Sequence, residues 1–194
     1  MNSLLRLAAA AIAVATGACT TTTVLTDVQQ IPIATEAYLV LPGSEDLTES
    51  FDATQVIAAR YQDDSYSFEA HIEARPGSIT IVGIGALGGA LFSISYDGVE
   101  ISATGAQEAQ VINAEYVLAD VLLTHWDPDW LNRRLRGAAV TLAEDGKKRE
   151  VTRGGESIIS IAFDTPDPWS GSATLNHRER QYELRISTAE FVRR

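Results

Sequence analysis

Hydrophobic and polar positions alternate along most of this chain. Tyr66, Phe68, Ala70, Ile72 and Ala74 interleave with Ser65, Ser67, Glu69, His71 and Glu73, which gives a strand one apolar and one wet face. Pro76-Gly77 interrupts the run, and residues 78–84 resume as a more continuously apolar strand. Residues 91–96 and 99–103 flank Asp97-Gly98, a strong signal for a tight hairpin. Asp145-Gly146 separates residues 139–143 from 148–152, and Gly154-Gly155 separates that strand from 157–163. A last pair spans 172–175 and 181–187. The pattern predicts a mostly β fold with a helical insert. Its strands form a large antiparallel meander that must curl into a barrel or split into a sandwich.

The helical insert lies near the middle. Ala114, Val117, Leu118, Val121, Leu122 and His125 fall at i, i+3, i+4, i+7, i+8 and i+11, one stripe of a helix, with Asn113 placed to cap it. A shorter helix follows, with Asp127 as N-cap, Pro128 at its first position and Gly137 past its end. Arg133, Arg134 and Arg136 occupy its expected last turn, where cations complement the helix dipole. Trp126, Trp130, Leu131 and Leu135 add a large apolar surface, expected to bury against the concave face or mouth of the sheet. Tyr66, Phe68, Phe92, Trp126 and Trp130 therefore have two readings, as plain core or as the lining of an apolar cavity. On the second reading Val117, Leu118, Val121 and Leu122 complete the lining, and the helices over 113–136 are its lid.

The first residues follow another logic. Arg6 and an Ala/Ile/Val run lead to Thr16-Gly17-Ala18-Cys19, the order of a secretory signal. The run is shorter than the roughly 20 apolar residues of a spanning helix. A cysteine directly after the small residues predicts a lipoprotein signal over 1–18, with Cys19 carrying diacylglycerol as the new first residue. Thr16 stands where Leu or Val is commoner, and an ordinary signal with an incidental cysteine is the alternative. A second acyl group on the new amino terminus makes attachment stable, since one chain binds only marginally. Residues 19–35, rich in threonine, read as a lipidated tether reaching at most about 55 Å, and 36–194 as a single domain. Thr20, not Asp, follows the cysteine, which favours the outer membrane, with the domain facing the periplasm.

Charge narrows the partners. A net charge of −11 argues against nucleic acid and against electrostatic adhesion to anionic lipid, so membrane contact is expected through acyl chains alone. Cys19 is the only cysteine, and once lipidated it leaves no thiol for a disulfide, a thiolate metal site or nucleophilic catalysis. Gly83-Ile84-Gly85-Ala86-Leu87-Gly88 matches G-x-G-x-x-G, but residues 90–96 read as a strand where a dinucleotide site requires a helix. A glycine-relaxed corner between two strands is the better account. His125, Asp127 and Asp129 lie close together, yet both acids suit the first turn of a helix, and His71 and His177 stand on distant strands. No metal site is expected. There is no G-x-S-x-G elbow and no marked carboxylate pair, and Glu179 between Arg178 and Arg180 reads as solvated. The expectation is a non-enzyme without a cofactor.

The same residues carry a family resemblance. Ile81-Val82-Gly83, Gly88, Leu91-Phe92 and Tyr96-Asp97-Gly98 are followed by Leu118-Ala119-Asp120 with Trp126. Asp167-Pro168-Trp169 with Gly171 comes next, then Leu175-Asn176 with Tyr182, Leu184 and Ile186. In this order behind a lipobox, over about residues 41–187, they resemble a domain-of-unknown-function family of Gram-negative outer-membrane lipoproteins. Such proteins are often encoded beside aryl polyene and fatty-acid-type biosynthesis enzymes. Gly85 and Gly89 make the corner richer in glycine than usual, and Asp127 intervenes between Trp126 and Pro128. The resemblance implies a fold similar to the lipoprotein carriers LolA and LolB: an incomplete antiparallel barrel closed by helices around an apolar concavity. It transfers no functional residues. The expected function is an anchored lipoprotein that binds a lipid, acyl or polyene chain and helps deliver it to the outer membrane. The alternative is a non-enzymatic envelope scaffold or assembly factor, with a filled core and a protein partner.

Overall fold

The alternating segments pair as their turn residues dictate. The computed structural model describes residues 23–25, 30–105, 113–143 and 145–194; Cys19, the signal and the start of the tether lie outside the described residues. In chain order the first strands are β1 (Thr23–Leu25), β2 (Gln30–Ala34), β3 (Ala37–Val40) and β4 (Phe51–Tyr61). They continue with β5 (Asp64–Arg75), β6 (Ser78–Ile84), β7 (Ala90–Tyr96) and β8 (Ile101–Gly105). Two helices follow, α1 (Ala114–His125) and α2 (Pro128–Arg134), then β9 (Leu135–Arg136) and β10 (Ala139–Leu142). The chain finishes with β11 (Lys148–Arg153), β12 (Glu156–Phe163), β13 (Ser172–His177) and β14 (Tyr182–Arg193).

One antiparallel sheet holds eleven of these strands, in the order β1-β8-β7-β6-β5-β4-β14-β13-β12-β11-β10. It is two meanders, one on each side of the helices in sequence, joined where β14 returns to β4. That joint runs from Tyr182 opposite Tyr61 to Arg193 opposite Phe51, with a bulge between Thr188 and Glu190. The edge strands β1 and β10 do not meet, so the curved sheet stays open rather than closing into a barrel. At the β7–β8 hairpin Asp97 Oδ1 accepts from the Val99 and Glu100 amides at 2.9 and 2.8 Å, and Gly98 takes φ +86°. Only glycine fits there on two counts: an added Cβ would also lie 2.2 Å from the Ser44 amide nitrogen.

A second sheet, β2-β3-β9, departs from the sequence reading. The stretch read as tether to residue 35 is already folded by Gln30, with Ile31 and Ile33 fully buried and Thr23–Leu25 paired to β8. Two isoleucines one residue apart are enough to anchor a strand when a helix covers them, and α1 packs on β2. Similarly, α2 ends at Arg134 because Leu135 and Arg136 pair with Leu39 and Tyr38. Arg136 therefore belongs to a strand and not to the last turn of a helix.

Both helices begin as their sequences predict. Asn113 Oδ1 accepts from the Glu115 and Tyr116 amides, and Asp127 Oδ1 accepts from that of Trp130 at 2.9 Å. The back of α1, with Leu118, Leu122 and Leu123 fully buried, joins Ile31, Ile33 and Leu131 in the core. An Arg149 guanidinium, itself buried, donates to the Leu123 carbonyl at the end of α1, where the helix dipole favours a cation. An aromatic cluster closes this end of the sheet. Trp169 stacks on His125 at 3.9 Å between ring centres and on Phe191 at 4.9 Å, and Phe51 and Trp126 pack against the same indole.

Candidate functional site

The inward side chains of β4, β5 and β14 face the other side of α1 across a gap. Register puts Ile57 beside Phe68 and Ile186, and Ala59 beside Tyr66 and Leu184. Residues 113, 116, 117, 120 and 121 of the helical segment face them, at i, i+3, i+4, i+7 and i+8. Between these walls lies a cavity of about 1020 Å³, at the upper end of ordinary ligand sites. From Gln55 to Tyr61 along β4 the lined wall is about 20 Å long at the usual strand rise. Each leaflet of a bilayer contributes about 15 Å of hydrocarbon, so the cavity can take one leaflet's chain lengthwise.

Glycine shapes part of this wall. Gly83 of β6 sits opposite Phe92 of β7, and a Cβ on it would come within 2.2 Å of the Phe92 ring. The ring thus lies over the glycine and meets Phe68 edge-on at 5.5 Å. This accounts for the first glycine of the G-x-G-x-x-G stretch, which runs from β6 through a turn into β7 with no helix.

The floor is polar and hydrogen-bonded to the protein around it. Burial pushes the His125 pKa down to about 3, so the ring is neutral. Its Nδ1–H donates to the Pro168 carbonyl at 2.9 Å, which leaves Nε2 to accept from the Gln55 amide at 3.1 Å. The same amide group donates to Thr188 Oγ1 at 3.1 Å. Asp127 is occupied as a helix cap, and among the described residues no three His, Cys, Asp or Glu side chains gather as a metal site would need.

Halfway up the wall stands a different polar group. Asp120 on α1 is buried, and the Tyr182 hydroxyl donates to its two carboxylate oxygens at 2.8 and 2.7 Å. Burial pushes its pKa up to about 7, the Tyr182 hydrogen bond and the more distant Arg180 charge opposing this only in part. Burial likewise raises Tyr182 above the usual phenol value. At the rim the Arg180 guanidinium lies 3.4 Å from the centre of the Tyr116 ring and also donates to the Pro32 carbonyl. Tyr61 and Tyr66 are about two-fifths exposed beside it, which marks this as the mouth. Glu179 is not simply solvated: it accepts from the Thr35 amide and hydroxyl and pairs with Arg153 at 3.1 Å.

Of the nine lining residues expected from sequence, Tyr66, Phe68, Phe92, Val117 and Val121 border the cavity. Leu118 and Leu122 instead point into the core behind α1, and Trp126 and Trp130 belong to the aromatic cluster and the α2 surface. The stripe chosen in the sequence straddled two faces, because α1 is buried on both. Gln55, Asp120 and Tyr182 were missed; the signal for Asp120 was its place on the helical face that carries Val117 and Val121. The expected lid also changes character. Swinging α1 away would expose Leu118, Leu122 and Leu123, each worth about 1.5–3 kcal/mol buried, so α1 is a wall and access runs through the mouth.

Among the described residues no helix is long and apolar enough to cross a membrane. Among curated proteins none matches the chain. Among solved structures, a LolA superfamily protein from Nitrosomonas europaea is similar with a TM-score of 0.43 and 8% identity, over 75% of this chain and 86% of that one. A DUF1329 family protein from Desulfovibrio piger is similar with a TM-score of 0.36 and 10% identity, over 76% and 87%. Residues 52–190, most of the chain, match the family described as "Protein of unknown function (DUF3261)", and the chain belongs to that family.

Proposed function

We propose that this protein is a lipoprotein anchored through Cys19 to the outer membrane, facing the periplasm, that binds a lipid or acyl chain and helps deliver it to that membrane. One observation carries the reading: a chain-length apolar cavity of about 1020 Å³ between the concave sheet and α1, with one rim of exposed tyrosines. Each methylene moved from water into such a space contributes about 0.8 kcal/mol, so affinity needs no charged or catalytic group. We extend the proposal to polyene chains on the motif resemblance described above. We read the protein as a non-enzyme whose partners are the membrane and a lipid or acyl ligand. The alternative scaffold role assumed a filled core, and a cavity of this size favours the carrier.

A transfer assay tests this. Full-length protein is anchored in acceptor vesicles, and donor vesicles carry a fluorescent phospholipid. The wild type should speed transfer severalfold over protein-free vesicles, and Val121→Trp, which sets an indole across the cavity, should speed it less. Equal rates with and without the wild type would refute delivery.

A further inference from the structure

The apolar walls described above contain one feature that hydrophobic storage does not require. Asp120 lies in the middle of α1, about two turns from Asn113 and roughly one and a half from His125. It is nine-tenths buried, and no cationic side chain among the described residues forms an ion pair with it. Among the described residues its sole hydrogen-bond partner is Tyr182, whose single proton is shared between two oxygens. A carboxylate offers about four lone-pair sites, so most of its accepting capacity faces the cavity unused. The Tyr182 oxygen stands beside it, within reach of the Arg180 guanidinium. Replacing such a pair by leucine and phenylalanine would ordinarily cost nothing or stabilise the fold. At the floor, both His125 nitrogens and the Gln55 NH2 group are hydrogen-bonded within the protein.

We propose that Asp120 and Tyr182 form a hydrogen-bonding station inside the cavity for a hydroxyl group carried on an acyl chain, so that the protein selects hydroxylated over plain chains. The proposal rests on the carrier reading and names its cargo class. A hydroxyl fits better than the alternatives. It is neutral and can pass the apolar walls, it donates to the Asp120 carboxylate, and it accepts from Tyr182 if that proton turns toward it. A carboxylate head at the same depth would face Asp120 with like charge, whereas at the rim it would meet the Arg180 guanidinium. The cargo is therefore an acyl chain whose acidic end stays at the mouth and whose hydroxyl lies a few carbons inside.

Calorimetric titration of the purified full-length protein with tetradecanoate and 3-hydroxytetradecanoate, both below their micellar concentrations, decides the matter. At about pH 8.5, where the Asp120 carboxyl is ionised, a hydrogen bond to it predicts that the wild type binds the hydroxylated probe at least about tenfold more tightly. Tyr182→Phe and Asp120→Leu should bring the ratio toward one. Equal affinity of the wild type for the two probes overturns the station while leaving the carrier reading intact. Binding of neither probe overturns both. The wild-type ratio decides the proposal even if a variant fails to fold.

Discussion

At the scale of single residues, burial sets the protonation states that hold the site together. His125 is held at about 3 and His177 at about 4, both chiefly by burial and both below the ordinary 6.5. Their hydrogen bonds need neutral rings: His177 Nε2–H donates to the Ile33 carbonyl at 2.8 Å while Nδ1 accepts from the Arg180 amide. Below about pH 6.5 an unfolded chain takes up protons that the folded chain refuses, so stability is full above that pH and is lost as pH falls toward 3. Imidazole NMR signals of both rings should stay at their neutral positions at pH 5; titration near 6.5 would contradict the buried network. Asp120 acts with the opposite sign. Its folded value of about 7 exceeds the ordinary 3.8, so its contribution is present below 3.8 and is lost as pH rises through 7. Urea denaturation should show Asp120→Asn gaining about 1–3 kcal/mol on the wild type between pH 5 and pH 8. A constant difference would mean the carboxyl is solvated. Asp120 was signalled in the sequence only by sharing a helical face with Val117 and Val121, and Tyr182 not at all, because a tyrosine on a strand looks like an ordinary position until the fold brings it to Asp120.

At the scale of elements, local chemistry made most of the fold readable. The turns at Gly77, Gly98, Gly146 and Gly154-Gly155 all fall where the hairpins do, and the caps Asn113 and Asp127 start both helices. What escaped was set by long-range pairing. β2 is too short for its period to stand out beside a threonine run, β9 exists only because β3 lies beside it, and nothing local tells β14 to return to β4 across the whole domain. The lining was half legible for a similar reason: a helix buried on both faces has no single stripe. Two substitutions test the elements that shape the cavity. Gly83→Ala drives a methyl into the Phe92 ring and should cost about 1–3 kcal/mol in denaturant unfolding, with a loss of lipid binding. Asn113→Ala removes the α1 cap and should cost about 1 kcal/mol. An unchanged midpoint in either variant would mean that the contact carries no weight.

At the scale of the whole molecule, the two meanders make a trough and the inserted helices cover it. The aromatic cluster and the neutral His125 network seal one end, and the exposed tyrosines leave the other open. With a net charge of −11 the chain gains nothing from anionic lipid surfaces, in keeping with a cargo held by apolar contact. A cavity of chain length should not stay empty in a cell rich in lipid. Native mass spectrometry of the gently purified protein tests this most directly. The account predicts one lipid-sized mass bound per wild-type molecule beyond any covalent modification, and a reduced occupancy in Val121→Trp. A wild-type protein that carries no such mass, and acquires none when incubated with phospholipid vesicles, would contradict it.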